Sequence, residues 1–79
     1  GFDVNYFPNP TTDVVNIVTK ITFDNVELLN TEGKIVRRLE NLGIGTHQLD
    51  LSDLPAAMYL LRFQKGETVL TKKILLVRA

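Results

Sequence analysis

Apolar and polar residues alternate along most of this chain with a period of two, the pattern of β-strands with one buried face. The alternation is clearest where Tyr59, Leu61 and Phe63 are separated by Leu60 and Arg62. No stretch keeps apolar residues at helical spacing over three turns without an intervening glycine, proline or β-branched run. The pattern predicts strands at residues 14–20, 23–29 (or 25–29), 35–40, 46–51, 58–64 and 68–77.

Turn-forming residues separate these stretches. Residues 30–34 predict a hairpin, because Gly33 adopts positive φ at no steric cost. A second hairpin turn is predicted at residues 64–67, and a loop with two glycines at residues 41–45.

Residues 49–55 predict a tight corner between two strands. The short polar side chains of Asp50, Ser52 and Asp53 can accept hydrogen bonds from nearby backbone N–H groups. Pro55 fixes its own φ and favours an extended residue before it. The leucines of this corner are too apolar to stay in water, so we expect the corner to fold onto a core.

The N-terminal segment is predicted to be irregular. Pro8 and Pro10 bracket the turn-former Asn9, which excludes a helix. We therefore expect residues 1–12 to form an extended arm with a turn near Asn9, and residues 13–79 to form the folded body. Short strands separated by turns every 8–12 residues predict an all-β domain, a small antiparallel β-sandwich of about seven strands. Its predicted core is Val15, Ile17, Val26, Leu28, Leu49, Leu54, Tyr59, Leu61 and Phe63.

Length and composition limit the classes of function that the chain can have. The chain has 79 residues, which fits one domain, and its nine basic residues balance nine acidic ones. A neutral chain offers no general attraction for nucleic acid, and no apolar run approaches the roughly 20 residues of a membrane span. There is no cysteine for a disulfide or thiolate site and no signal-peptide pattern. We expect a monomer, part of a longer protein, without membrane insertion.

Candidate catalytic and metal residues are few. His47 and Ser52 are the single histidine and the single serine, and a hydrolytic triad needs both plus an orienting acid. Asp50 and Asp53 are candidate calcium ligands, but two acids fall short of the usual six to eight oxygens. Turn capping is the favoured interpretation of all the corner residues, so we expect no catalytic residue, metal or cofactor.

Two adjacent lysines, Lys72 and Lys73, lie inside the last predicted strand and should project to opposite faces. They are either charges that keep an apolar strand from aggregating or a handle for a partner. Physical reasoning alone favours the first interpretation.

Three landmarks occur in order along the chain: Tyr6-Phe7-Pro8-Asn9-Pro10, the corner with the strand through Phe63, and Lys72-Lys73-Ile74-Leu75 near the end. Together they closely resemble the type A C-terminal sorting domains of the bacterial type IX secretion system. The hairpin at residues 29–36 is also similar to that family, which commonly has Asp at the position of Asn30. The resemblance extends over nearly the whole chain.

This resemblance implies a β-sandwich of immunoglobulin-like type that directs a larger N-terminal cargo protein across the outer membrane. It implies recognition by the type IX translocon, removal by a sortase-like protease, and a location in the periplasm and then at the cell surface or outside the cell. It assigns partner recognition to Lys72, Lys73, Ile74 and Leu75. Pro8, Asn9 and Pro10 are the further candidates for that role.

One position departs from the family, which usually has glycine where this chain has Ala57. If the site needs positive φ, alanine costs on the order of 1 kcal/mol. If glycine serves only for close packing, the methyl group is tolerated.

Two other functions fit the sequence less well. An adhesive or carbohydrate-binding accessory module is the main alternative, although there is no tryptophan and the alternation places Tyr59 and Phe63 in the core. A hydrolytic enzyme is a distant third, because the residues for it are missing. We therefore expect a non-enzymatic sorting domain.

Overall fold

The computed structural model describes residues 4–78, so residues 1–3 of the predicted arm and Ala79 lie outside it. The described chain forms seven strands: β1 (Val4–Phe7), β2 (Val14–Thr19), β3 (Phe23–Leu29), β4 (Ile35–Leu42), β5 (Gly45–Asp50), β6 (Ala57–Lys65) and β7 (Thr68–Leu76). Within residues 4–78 no helix has the length and apolar character to cross a membrane.

The strands form two sheets. One has three strands in the order β1-β2-β5, and the other has four in the order β4-β3-β6-β7. Every pair of neighbouring strands is antiparallel. The predicted small antiparallel sandwich of about seven strands is therefore confirmed.

Two elements differ from the predicted ones by more than one residue. Val4–Phe7, predicted as part of an extended arm, is strand β1 and pairs with β2. Four residues followed by a proline are too short a run for the alternation to stand out. Strand β4 also continues to Leu42, which pairs with Phe23 and is buried, so only two residues connect β4 to β5.

The core lies between the two sheets and follows the predicted alternation. Of the residues predicted for it, Leu54 alone is only partly buried and packs against its border. Phe23 stacks on Phe63 in a tilted arrangement, with 5.3 Å between ring centroids and 54° between planes. The other predicted residues are buried: Val15, Ile17, Val26, Leu28, Leu49, Tyr59, Leu61 and Phe63.

Of the polar residues predicted to set the corner, Asp50 bonds to the backbone as expected, whereas Asp53 pairs with the Arg37 side chain. The carboxylate of Asp50 accepts a hydrogen bond from the Ser52 N–H at 2.9 Å, and the Leu54 N–H donates to the Leu51 carbonyl at 3.0 Å. The hydroxyl of Tyr59 donates to the Pro55 carbonyl at 2.6 Å. Bonding to Ser52 holds the pKa of Asp50 below its usual value.

A β-bulge interrupts the pairing of β3 with β4. Leu28 pairs with Arg37 and Leu29 with Ile35, so Val36 is the extra residue. Regular alternation of Val36 against Ile35 and Arg37 is therefore interrupted at this point. Val36 packs against the core while Ile35 is 43% exposed.

Alternation along β3, with Val26 and Leu28 in the core, places Glu27 on the opposite, outer face. On that face of the four-stranded sheet it pairs across to Arg38 and Arg62, but it is only 4% exposed. The two arginine side chains cover it from the neighbouring strands, as described below.

Ala57 begins β6 opposite Leu76. Among residues 4–78, Asn41 is the one non-glycine residue with positive φ, so Ala57 has ordinary backbone geometry. The alternative in which the family glycine needs positive φ does not apply, and the alanine methyl is accommodated.

Candidate functional site

The prolines after β1 direct the chain from one sheet to the edge of the other. Proline lacks a backbone N–H, so Pro8 and Pro10 cannot continue the ladder of β1, and both X–Pro bonds are cis. Between them, the Asn9 side chain bonds to the backbone of β7. Its Nδ2 donates to the Lys73 carbonyl at 3.2 Å, and its Oδ1 accepts from the Leu75 N–H at 2.9 Å. The side-chain amide thus takes the place that a peptide group of a neighbouring strand would occupy.

Backbone pairing extends this contact along β7. The Thr11 N–H donates to the Leu75 carbonyl at 2.9 Å, and the Val77 N–H donates to the Thr11 carbonyl at 2.9 Å. The Tyr6 hydroxyl donates to the Lys73 carbonyl at 2.8 Å. We call this contact between residues 6–11 and residues 73–77 the arm–β7 junction.

The junction brings together site residues that lie more than 60 positions apart in the chain. Pro8, Asn9 and Pro10 are exposed beside Lys73, which is also exposed, and Leu75, which is half-buried.

The other two candidates on β7 face the core. Ile74 is fully buried, and Lys72 is half-buried opposite the buried Leu61. Lys72 and Lys73 therefore project to opposite faces of β7, and Lys73 is the one whose charge lies at the accessible side.

The corner reaches the same end of the sandwich through Arg78, which was not among the predicted site residues. Its guanidinium donates to the carbonyls of Thr12 at 2.9 Å and Ser52 at 3.1 Å, and also bonds to the Leu54 carbonyl. All three sequence landmarks thus meet near the end of β7. A single arginine after an apolar strand gives no signal of this role, because its partners are backbone carbonyls.

The charged side chains at the centre of the outer face of the four-stranded sheet are paired with one another. Arg62 donates to Glu27 Oε1 from Nη2 at 2.6 Å and from Nε at 3.1 Å, and Arg38 pairs with Glu27 Oε2. Hydrogen bonding to Arg62 is the main cause that holds the pKa of Glu27 below its usual value, against the opposing effect of burial. Arg38 also pairs with Glu40, whose hydrogen bond raises the pKa of Arg38.

The residues considered for catalysis or metal binding have structural partners. His47 Nε2 is 2.7 Å from the Gly43 carbonyl oxygen, and Asp53 pairs with Arg37. Within the described part of the chain, no group of three or more His, Cys, Asp or Glu residues could hold a metal ion.

Fold and site define a small β-sandwich module in which an N-terminal segment is bonded to the edge of the last strand. The sequence model of a family described as the secretion system C-terminal sorting domain matches residues 5–77. The chain belongs to this family, the C-terminal sorting domains of type IX secretion, as the resemblance indicated. No curated protein matches the chain.

Membership gives the function in outline. The domain is a sorting signal of a secreted protein that is exported across the cell envelope, and it works with the type IX secretion machinery and a cargo. The family is not known for enzymatic activity.

Proposed function

We propose that this domain directs a larger cargo protein across the outer membrane because the type IX translocon binds it at the arm–β7 junction. A sortase-like protease then removes the domain, and the cargo remains at the cell surface or outside the cell. The observation that carries the proposal is the pair of hydrogen bonds between the Asn9 side chain and the backbone of Lys73 and Leu75. It joins two of the family's landmarks into one surface.

The junction suits recognition because its parts are held in fixed relative positions. Five hydrogen bonds connect the arm to β7, and they involve side chains as well as backbone. Pro8, Asn9, Pro10 and Lys73 remain exposed around them. A partner can therefore bind a preformed surface without first ordering it, which reduces the entropic cost of binding.

The four residues 72–75 take different parts in this proposal. Lys73 presents a charge to the partner, and Leu75 adds an apolar side chain next to it. Ile74 anchors the strand in the core. Lys72, which faces inward on an edge strand, prevents that edge from pairing with another sheet, a known use of inward-pointing charges.

The test uses a reporter cargo fused ahead of the domain in a bacterium with a type IX system. Replacing both Lys72 and Lys73 by Gln preserves strand length and most of each apolar stem. We expect this variant to fold but to deliver the reporter poorly, and Lys73→Gln alone to account for most of the loss. Surface-delivered reporter is measured together with the melting temperature of each purified domain.

Lys20→Gln is the matched control, because Lys20 is exposed just after β2 and lies outside both the junction and β7. It should deliver like the parent. Each single exposed lysine change should alter stability by well under 1 kcal/mol. Normal delivery by a folded double variant would mean that both lysines serve only to prevent aggregation.

A further inference from the structure

An apolar strip crosses the outer face of the four-stranded sheet at the end where the junction lies. Cross-strand pairing aligns Ile35 with Leu29 and Leu29 with Leu60, and it sets Met58 opposite Leu75. We call these five residues the apolar strip. Ile35 is 43% exposed and Met58 42% exposed, whereas Leu60 and Leu75 are half-buried and Leu29 is buried at 7% exposed. Ile35 and Met58 therefore form the accessible part of the strip. The strip ends at the junction, since Leu60 pairs with Lys73 and the Leu75 N–H is bonded to Asn9.

The bulge in β4 completes the strip. Without the extra residue Val36, regular alternation would place Ile35 on the same face as Arg37, toward the core. The register shift instead aligns Ile35 with Leu29 on the outer face. Bulges commonly redirect a side chain in this way beside functional sites.

The charges near the strip differ in how they are neutralised. Glu27, next along the outer face of β3, is paired with both Arg38 and Arg62. The ammonium group of Lys73 forms no ion pair with any residue between 4 and 78. The strip is therefore bordered on one side by a compensated charge cluster and at the junction by the uncompensated cation of Lys73.

We propose that the apolar strip, together with Lys73, is the docking surface for a protein component of the export machinery that presents apolar side chains beside a carboxylate. This inference rests on the proposed function and specifies the chemistry of its partner. The carboxylate pairs with Lys73, while the apolar side chains cover Ile35 and Met58.

The size of the strip argues against a second copy of this chain as the occupant. Four strands about 4.8 Å apart and two rows of side chains about 7 Å apart give an area of roughly 100–200 Å². Stable interfaces bury about 800 Å² on each partner. A contact of this size suits a partner that binds transiently and then releases the domain.

The test compares two double variants in the reporter assay. Ile35→Thr with Met58→Thr makes the strip polar while keeping residues that suit strands. Val69→Thr with Ile44→Thr is the matched control, because these residues are 51% and 69% exposed and lie outside the strip. We expect about tenfold less surface delivery from the strip variant, equivalent to about 1.4 kcal/mol of docking energy. The control should deliver like the parent.

Charge reversal supplies a second measurement. Lys73→Glu should reduce delivery at least as much as the strip variant, because it sets a carboxylate against the partner's carboxylate. If the strip double variant does not fold, Met58→Thr alone is used, since this side chain is already 42% exposed. Melting temperature establishes folding for every variant.

Several results would overturn the inference. Parental delivery by a folded strip variant, or an equal loss in the control, would remove the strip from the mechanism. Strip-dependent dimerisation in sedimentation would assign the surface to a second copy. Strip-dependent binding to phosphatidylglycerol vesicles would assign it to lipid. Failure of the parent domain to deliver the reporter would overturn the proposed function and this inference with it, whereas the first two results leave the proposed function standing.

Discussion

The two edges of the four-stranded sheet are covered differently. The β4 edge is protected by a bulge at Val36 and by charged residues, including Arg37, which donates to the Asp50 carbonyl at 3.0 Å. The β7 edge is covered near its end by residues 9–11, which bond to it through the Asn9 side chain and the Thr11 backbone. Bulges and charges suffice to keep an edge strand from pairing with another molecule.

The comparison shows that the β7 edge has more contacts than are needed to keep it from pairing with another molecule. Residues 9–11 of the arm, more than 60 positions away in the chain, are bonded in a fixed position beside Lys73 and Leu75. Such an arrangement creates a defined surface from two distant parts of the sequence. It supports the proposal that recognition is centred on the β7 edge.

The largest expected effect comes from the core beneath both edges. Leu61 on β6 is fully buried, so Leu61→Ala should lower the free energy of unfolding by about 2–5 kcal/mol. This is a large part of the stability of a small domain. Urea unfolding of the purified domain measures it.

Leu60→Ala is the control on the same strand, because Leu60 is half-buried on the opposite face. It should cost clearly less than Leu61→Ala. If Leu61→Ala unfolded at the same urea concentration as the parent, the core assignment would be wrong.

A smaller effect is expected at Glu27, which connects β3 to Arg38 on β4 and Arg62 on β6. Glu27→Gln removes the buried negative charge that pairs with the two arginines. It should lower the free energy of unfolding by about 1–2 kcal/mol at neutral pH, a modest loss because the arginines remain partly solvated. Urea unfolding at pH 7 measures this loss.

The pH dependence gives a sharper check. The pKa of Glu27 is lowered from 4.5 in the folded state, so its contribution is present above pH 4.5 and is lost as the pH falls through the folded-state pKa. Glu27→Gln should therefore lose less stability than the parent on acidification. Asp50, whose pKa is also lowered, contributes the acid sensitivity that remains. Identical acid profiles for parent and variant would contradict the role given to Glu27.

The smallest effect on stability is expected at the junction itself. Asn9→Ala removes two exposed hydrogen bonds to β7 and should cost about 1 kcal/mol. Hydrogen exchange should quicken at the Leu75 amide, which loses its acceptor, while amides in the centre of β6 change only with global stability. Asn5→Ala on the exposed side of β1 is the control. Unchanged exchange at Leu75 would mean that Asn9 does not hold the edge.

Asn9→Asp separates the two bonds. Aspartate keeps the acceptor for the Leu75 N–H but lacks the donor to the Lys73 carbonyl. We expect protection at Leu75 to be retained in this variant and lost in Asn9→Ala. Equal exchange in the two variants would show that the two bonds act as one unit.

Alternation predicted most of the strands and the core because each sheet buries one face. Burial of one face requires apolar residues at every second position, and this pattern is visible within each short segment of the sequence. It also predicted that Lys72 and Lys73 point to opposite faces, but it could not tell which one points inward. The bulge at Val36 depends on the pairing of β4 with β3, which no local pattern specifies. The burial of Glu27 depends on arginines from two other strands.

The candidate site was predicted only as separate segments. Pro8, Asn9 and Pro10 indicated a turn, and residues 72–75 indicated an edge strand, but nothing local to either segment shows that they touch. Their contact is made by hydrogen bonds between residues more than 60 positions apart, from the Asn9 and Tyr6 side chains and the Thr11 backbone. The family resemblance pointed to both segments, while their union into one surface required the structure.

The most direct test of the central claim is the surface delivery of a reporter by Asn9→Ala compared with Asn5→Ala, both shown to be folded by their melting curves. The account predicts parental delivery for Asn5→Ala and a loss of several-fold for Asn9→Ala. The latter removes the two bonds that hold the Asn9 side chain against Lys73 and Leu75, without unfolding the domain. Equal delivery by the two folded variants would contradict recognition at the arm–β7 junction.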